Sequence, residues 1–121
     1  DPADILKLAS DYLNSLCPDS CTIEVELGHD GPAYVMDPNS KYGKAAQTAL
    51  KETFNDAARL IREGGSIPII QAFKDILDVD TLLLGLALPD CQIHAPNESF
   101  TVTNFEAGIK LNRALLKELA K

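Results

Sequence analysis

The sequence predicts an α/β fold, a parallel-type crossover sheet with helices, preceded by a helix–strand piece of a different style. Three observations predict it. From residue 41 on, stretches with helical apolar spacing alternate with short apolar runs in the order helix, strand, helix, strand, helix, the pattern of a parallel crossover sheet. Before them stand one amphipathic helix and one cleanly alternating strand, which has a wet face and suits antiparallel or edge pairing. The change of style falls near residues 34–37, dividing the chain into a first part, 1–34, and a second, 35–121.

The elements follow in order. Asp1 can cap a helix, Pro2 suits its first position, and Asp4 favours the positive end of its dipole. Ile5, Leu8, Ala9, Tyr12, Leu13 and Leu16 then recur at three- and four-residue spacing. Cys17-Pro-Asp-Ser breaks this helix. In residues 22–27, Ile23, Val25 and Leu27 share one face and Thr22, Glu24 and Glu26 the other. A turn at residues 28–32 leads to a short strand at 33–36. Asp37-Pro-Asn-Ser40 opens a helix over 41–54 with Ala45, Ala49, Leu50 and Phe54 inward. Residues 57–61 form a short apolar strand. Residues 67–77 form a helix with Ile70, Phe73, Ile76 and Leu77 inward, and 81–88 a buried strand. Thr103 and Glu106 make a capping box for the last helix, which runs to about Ala120 along Phe105, Ile109, Leu115, Leu116 and Leu119.

Composition narrows the function. Apolar residues make up 45% of the 121, enough for one packed domain or a piece of a larger one. With 18 acidic and 11 basic side chains the net charge is −7, and no basic stripe interleaved with aromatics points to nucleic acid. No apolar run approaches the roughly 20 residues of a membrane span, and no charged leader with an apolar core is visible. Three cysteines, an odd number, favour a reducing compartment, and the cytoplasm is the expected location.

Two segments carry chemistry. Arg62-Glu-Gly-Gly-Ser66 lies between a strand and a helix. Its glycines, Gly64 and Gly65, let the backbone turn sharply and leave N–H groups uncovered. Ser66 can cap the following helix, whose positive end points at the turn, and Arg62 adds a fork suited to a carboxylate. The plain alternative is a tight crossover loop with a surface arginine. His94 follows the next strand, so both loops leave the carboxyl ends of parallel strands, where open α/β sheets bind ligands. It is either a metal ligand or general acid, or a solvated loop histidine. Glu98 can orient His94 or favour the coming helix start. A rival arrangement makes Cys17, Cys21, Cys91 and His94 a structural zinc site of three thiolates and one imidazole. His29 beside Asp30 reads as a solvated turn histidine, and Asp75, Asp78 and Asp80 as a solvated rim. No Ser-His-Asp or Cys-His nucleophile arrangement is legible.

Taken together, Arg-Glu-Gly-Gly-Ser-Ile-Pro at 62–68 and His-Ala-Pro-Asn-Glu at 94–98 resemble the C-terminal part of a di-zinc metallopeptidase. The family is that of aminoacylase, carnosinase, acetylornithine deacetylase and carboxypeptidase G2. The resemblance implies that 1–34 is the second half of a lid, or dimerisation, domain and 35–121 the C-terminal part of the catalytic domain. It implies that His94 is a zinc ligand, that Arg62, Gly64, Gly65 and Ser66 hold the substrate's carboxylate end, and that Glu98 lies behind the ligands. It further implies two zinc ions per complete site and cleavage of a dipeptide or N-acyl amino acid. The family's other metal ligands and its general base have no counterpart here, so the segment contains no catalytic residue. By itself it is expected to be inactive, to need an N-terminal catalytic portion, and to self-associate through an exposed sheet edge. The non-catalytic alternatives are a self-associating domain and the cysteine-based zinc module.

Overall fold

The structure, a computed structural model, describes residues 1–28, 31–63 and 67–121. His29, Asp30, Gly64, Gly65 and Ser66 lie outside the described residues. Among the described residues there are four α-helices, α1 (Pro2–Ser15), α2 (Lys41–Phe54), α3 (Pro68–Leu77) and α4 (Val102–Leu119), with a 3-10 turn at Pro89–Cys91. None of them is long and apolar enough to cross a membrane. The chain forms two compact units, one of Asp1–Val35 with Glu63–Val79, the other of Met36–Arg62 with Asp80–Lys121. The units part between Val35 and Met36, and the stretch Glu63–Val79 groups with Asp1–Val35.

The second unit holds the core. Ser40 caps α2, its Oγ accepting from the Gly43 N–H at 3.0 Å, and Asn55 ends it in the left-handed conformation with its N–H on the Lys51 carbonyl. The buried residues of α2 are Gly43, Ala45, Ala46 and Ala49, and α4 buries Gly108, Leu111 and Ala114. Small side chains on both helices let their backbones approach. Ala49 (0% exposed), Leu111 (2%) and Ala114 form the centre, with Leu50, Leu84, Leu86 and Leu115 packed around it. Burying a leucine of this kind is worth roughly 1.5–3 kcal/mol. Two hydrogen bonds tie loops to this pair: Gln47 Nε2 donates to the Pro38 carbonyl at 2.7 Å, and Asn104 Nδ2 to the Leu86 carbonyl at 2.7 Å.

In the first unit, Asp1 caps α1 by accepting the Ala3 N–H at 2.9 Å, yet α1 buries no residue. Its apolar stripe of Ile5, Leu8, Tyr12, Leu13 and Leu16 is exposed, Tyr12 by 65%. In α3 only Ile70 is buried. A methyl group on Gly31 would meet the Pro68 ring and α-carbon at 2.8–2.9 Å, so the turn at Gly31 lies directly on the first residue of α3.

Four expectations need correction. Among the described residues none belongs to a β-strand, so the crossover sheet is not formed there. Alternation marks which side of a segment is apolar, but a strand exists only when a neighbour completes its ladder of backbone hydrogen bonds. In residues 81–88 the alternation survives as packing, with Leu82, Leu84 and Leu86 half-buried and Leu83 and Leu88 exposed. Residues 60 and 61, expected in an apolar strand, are exposed, Ile61 by 73%.

Second, α4 turns a different face inward. Phe105, Ile109 and Leu116 are exposed, because the alanines of α2 accept Gly108, Leu111 and Ala114 at close range. On α2 itself Phe54 is exposed too, while Ala45 and Ala49 are buried as expected. Third, the cap of α4 is Thr101, whose Oγ1 accepts the Asn104 N–H at 3.2 Å, so Thr103 lies within the first turn. Fourth, α3 starts at Pro68 with extended Ile67 as its N-cap (φ −109°, ψ 99°) and no side-chain cap. Proline excludes the helical conformation from the residue before it, which places the cap position one residue past Ser66.

Candidate active site

The His94 loop is built from the core outward. Residues 84 and 86 anchor the incoming segment, and Leu88, extended at φ −87° and ψ 160°, hands it to the Pro89–Cys91 turn. Cys91 is buried and organises the turn: its N–H bonds to the Leu88 carbonyl at 3.0 Å, and its Sγ accepts the Leu88 N–H at 3.2 Å. Gln92 and His94 follow in the left-handed region, φ 51° and 64°. That region costs a non-glycine residue about 1–3 kcal/mol and persists only where the surroundings impose it. Here the surroundings are hydrogen bonds: Ala95 N–H to the Gln92 carbonyl at 2.9 Å, Glu98 N–H to the Ala95 carbonyl at 3.0 Å, and Ser99 N–H to the Cys91 carbonyl at 2.9 Å. The last of these closes the loop at its base. His94 stands on this closed loop with an exposed side chain that has no hydrogen-bond partner among the described residues.

The structure does not join Glu98 to His94: among the described residues no hydrogen bond or ion pair links the two. Glu98 is exposed, and only its backbone takes part in the loop. Arg62 ends the stretch Met36–Arg62 of the second unit, and its guanidinium is exposed and unpaired among the described residues. Gly64, Gly65 and Ser66, the expected carboxylate cradle, lie outside the described residues. What is described of the cradle is the start of α3, where no side chain caps the first-turn N–H groups.

Sequence reasoning missed Asn104, and it considered Cys91 only for the rival zinc site, not as the organiser of the turn. The signal for Asn104 was available, since a polar side chain in the first turn of a helix can reach back to a carbonyl of the preceding segment. Cys91 carried no such signal, because a buried sulfur accepting a backbone N–H looks in sequence like any other core cysteine.

Among the described residues no three of His, Cys, Asp and Glu gather in a way that could hold a metal ion. The rival zinc site would draw Cys17 and Cys21 from the first unit and Cys91 and His94 from the second. Cys91 spends its sulfur inside the Leu88–Cys91 turn instead. The carboxylates at the end of α3 form a rim, as expected: Asp78 pairs with Lys74 at 2.8 Å, and this ammonium, through its hydrogen bond and then its charge, holds the Asp78 carboxyl below the usual aspartate range.

Comparison with known proteins gives this loop its context. Residues 6–118 match Peptidase family M20/M25/M40. The chain belongs to this family. It is 39% identical over 105 residues, 87% of this chain and 21% of the relative's length, to the Cys-Gly metallodipeptidase DUG1 of Saccharomyces cerevisiae. It is 41% identical over 87 residues, 72% of this chain and 18% of the relative, to the protein of that name from Candida albicans. With the Beta-Ala-His dipeptidase of Homo sapiens it shares 32% over 77 residues, 64% of this chain and 15% of the relative. The chain thus spans about a fifth of the length of the curated relatives it matches. No solved structure matches it.

Membership of the M20/M25/M40 peptidases implies a metal cofactor in the complete enzyme. The described residues do not make a site for it by themselves. A catalytic metal takes at least three protein ligands, and among the described residues no three such side chains gather.

Proposed function

We propose that this chain is the segment of a zinc-dependent dipeptidase that supplies one metal donor, His94, and the loop holding the substrate's carboxylate. The observation that carries the reading is the presentation of His94. An exposed imidazole on a left-handed residue, clasped by three backbone hydrogen bonds, falls within the stretch matched by the M20/M25/M40 family. Arg62 would pair with the carboxylate of a dipeptide or N-acyl amino acid through its planar fork. Gly64, Gly65 and Ser66 would present backbone N–H groups to the same carboxylate, helped by the uncapped positive end of α3. Glu98 would lie behind the ligands. The complete site holds two zinc ions, whose other donors and general base come from outside this chain. The relatives' names suggest Cys-Gly or β-Ala-His as substrates, and the three free thiols suit the cytoplasm.

The test has two arms. The purified chain with zinc should not hydrolyse either dipeptide, and hydrolysis would refute its dependence on outside residues. Placed in the Saccharomyces cerevisiae dipeptidase in exchange for the matching segment, the chain should support activity. In that hybrid, His94→Ala should abolish zinc retention and turnover. Arg62→Ala should raise KM on the order of tenfold to a hundredfold, as expected for a charged hydrogen bond worth about 1.5–3 kcal/mol. Unaltered zinc content in His94→Ala would remove His94 from the ligands.

A second reading, self-association, is favoured by α1, which has a full apolar stripe and no buried residue. Sedimentation of the purified chain across a concentration series should show a dimer forming, and a monomer throughout would dismiss it.

A further inference from the structure

We infer that Cys17 and Cys21 form a reversible dithiol–disulfide couple, a modification site for small disulfides of the glutathione type. The two residues bracket the turn that ends α1. The Cys17 N–H bonds to the Asn14 carbonyl at 3.2 Å, which seats Cys17 on the last turn of the helix. The Cys21 N–H bonds to the Pro18 carbonyl at 2.9 Å, folding the chain back over residues 18–21. A turn of this type brings its end α-carbons, here those of Pro18 and Cys21, within about 7 Å, and Cys17 immediately precedes it. The Cys17 sulfur already points across the turn: its thiol donates to the Cys21 carbonyl at 3.4 Å and approaches the Pro18 carbonyl at 3.8 Å. Cys21 is exposed, and its sulfur has only a long contact, 3.9 Å, with Ser20 Oγ. The Cys17 sulfur thus lies beside the Cys21 backbone, and the exposed Cys21 thiol has only the long Ser20 contact to hold it.

The third cysteine shows the contrast. Cys91 is buried and its sulfur is engaged by the Leu88 N–H. A single chain thus carries two accessible thiols on one turn and one that solvent does not reach.

The chemistry balances with a disulfide as oxidant. The Cys21 thiolate attacks one sulfur of glutathione disulfide, forming a mixed disulfide and expelling one glutathione thiolate. The Cys17 thiolate then attacks the Cys21 sulfur, forming the Cys17–Cys21 bond and expelling the second glutathione. Two protein thiols are oxidised, one small disulfide is reduced to two thiols, and the two protons go to the leaving thiolates. The bond would tie the end of α1 to the start of residues 22–27.

The reduced chain would be equilibrated with graded ratios of oxidised to reduced glutathione, alkylated, and read by intact mass and peptide mapping. The expected product has lost two hydrogen atoms, with Cys17 and Cys21 joined and Cys91 alkylated only after unfolding. Cys17→Ser and Cys21→Ser should each stop at the adduct of one glutathione, and Cys91→Ala should still form the bridge. Glutathione adducts that persist on the unaltered chain without bridging would overturn the proposal. So would a bridge to Cys91, a bridge between chains, or no oxidation.

Discussion

The helices α1 and α2 are equally long, 14 residues each, and both carry an apolar stripe, yet only α2 is packed. The stripe of α1 is made of large side chains and remains exposed, whereas that of α2 is made of glycine and alanine and is buried against α4. The difference shows that apolar size does not decide burial. Small residues let two backbones approach until Leu111 and Ala49 exclude water between them, and a large stripe without a partner surface contributes nothing to folding. The packed core thus lies in the second unit, whereas α1 leaves its apolar stripe exposed.

Substitutions can break or sharpen this contrast. The largest effect should come from Leu111→Ala, which opens a cavity at the centre of the α2–α4 pair and should cost about 2–5 kcal/mol in urea unfolding. Leu8→Ala, on the open face of α1, should stay within about 0.5 kcal/mol. A cost at Leu8 comparable to that at Leu111 would mean that α1 is covered in solution.

Gly43→Ala comes next. Its added carbon would lie 2.5 Å from the Pro38 carbonyl oxygen, a backbone atom that cannot swing away, so about 1–3 kcal/mol should be lost. The same change at Gly85 meets open space and should leave the unfolding midpoint close to that of the parent chain.

Capping separates two threonines by a smaller margin. Thr101→Ala removes the acceptor of the Asn104 N–H and should cost about 1 kcal/mol, while Thr103→Ala should cost a few tenths at most. Equal effects would return the cap to the position that the sequence motif suggested.

The smallest effect lies at the end of α3. Because Lys74 depresses the Asp78 carboxyl, the folded pKa is below the unfolded one. The stability from this pair is therefore present above the ordinary aspartate pKa of about 3.9 and is lost as pH falls through the lower, folded value. A carboxyl titration followed by NMR should place the Asp78 midpoint below those of unpaired aspartates, and Lys74→Met should restore it. Being exposed, the pair should barely move the unfolding midpoint at neutral pH.

Much of the architecture was legible in the residues. Ser40 and Asn55 bracket α2 at Lys41–Phe54, the range that the apolar spacing predicts, because caps and left-handed stops act through neighbours in sequence. Asp1 and Pro2 likewise announce α1. The family was legible from the motifs at 62–68 and 94–98, which the match over residues 6–118 confirms at the level of family. Less legible were the face of α4, since Phe105, Ile109 and Leu116 outweigh Gly108 and Ala114 in any count of apolar bulk, and the stage on which His94 stands. That stage depends on a sulfur, two left-handed residues and a carbonyl eight residues before Ser99.

Local chemistry by itself determined where α1 and α2 start and stop, which residues are apolar, and which histidine and arginine are candidates for a metal and a carboxylate. The tertiary structure alone decided which apolar faces are buried, that residues 22–27, 57–61 and 81–88 are not paired as strands among the described residues, and how His94 is held. The reason is one of range. A cap or a turn is satisfied by atoms a few residues away, whereas burial and strand pairing depend on surfaces that distant parts of a chain supply or fail to supply.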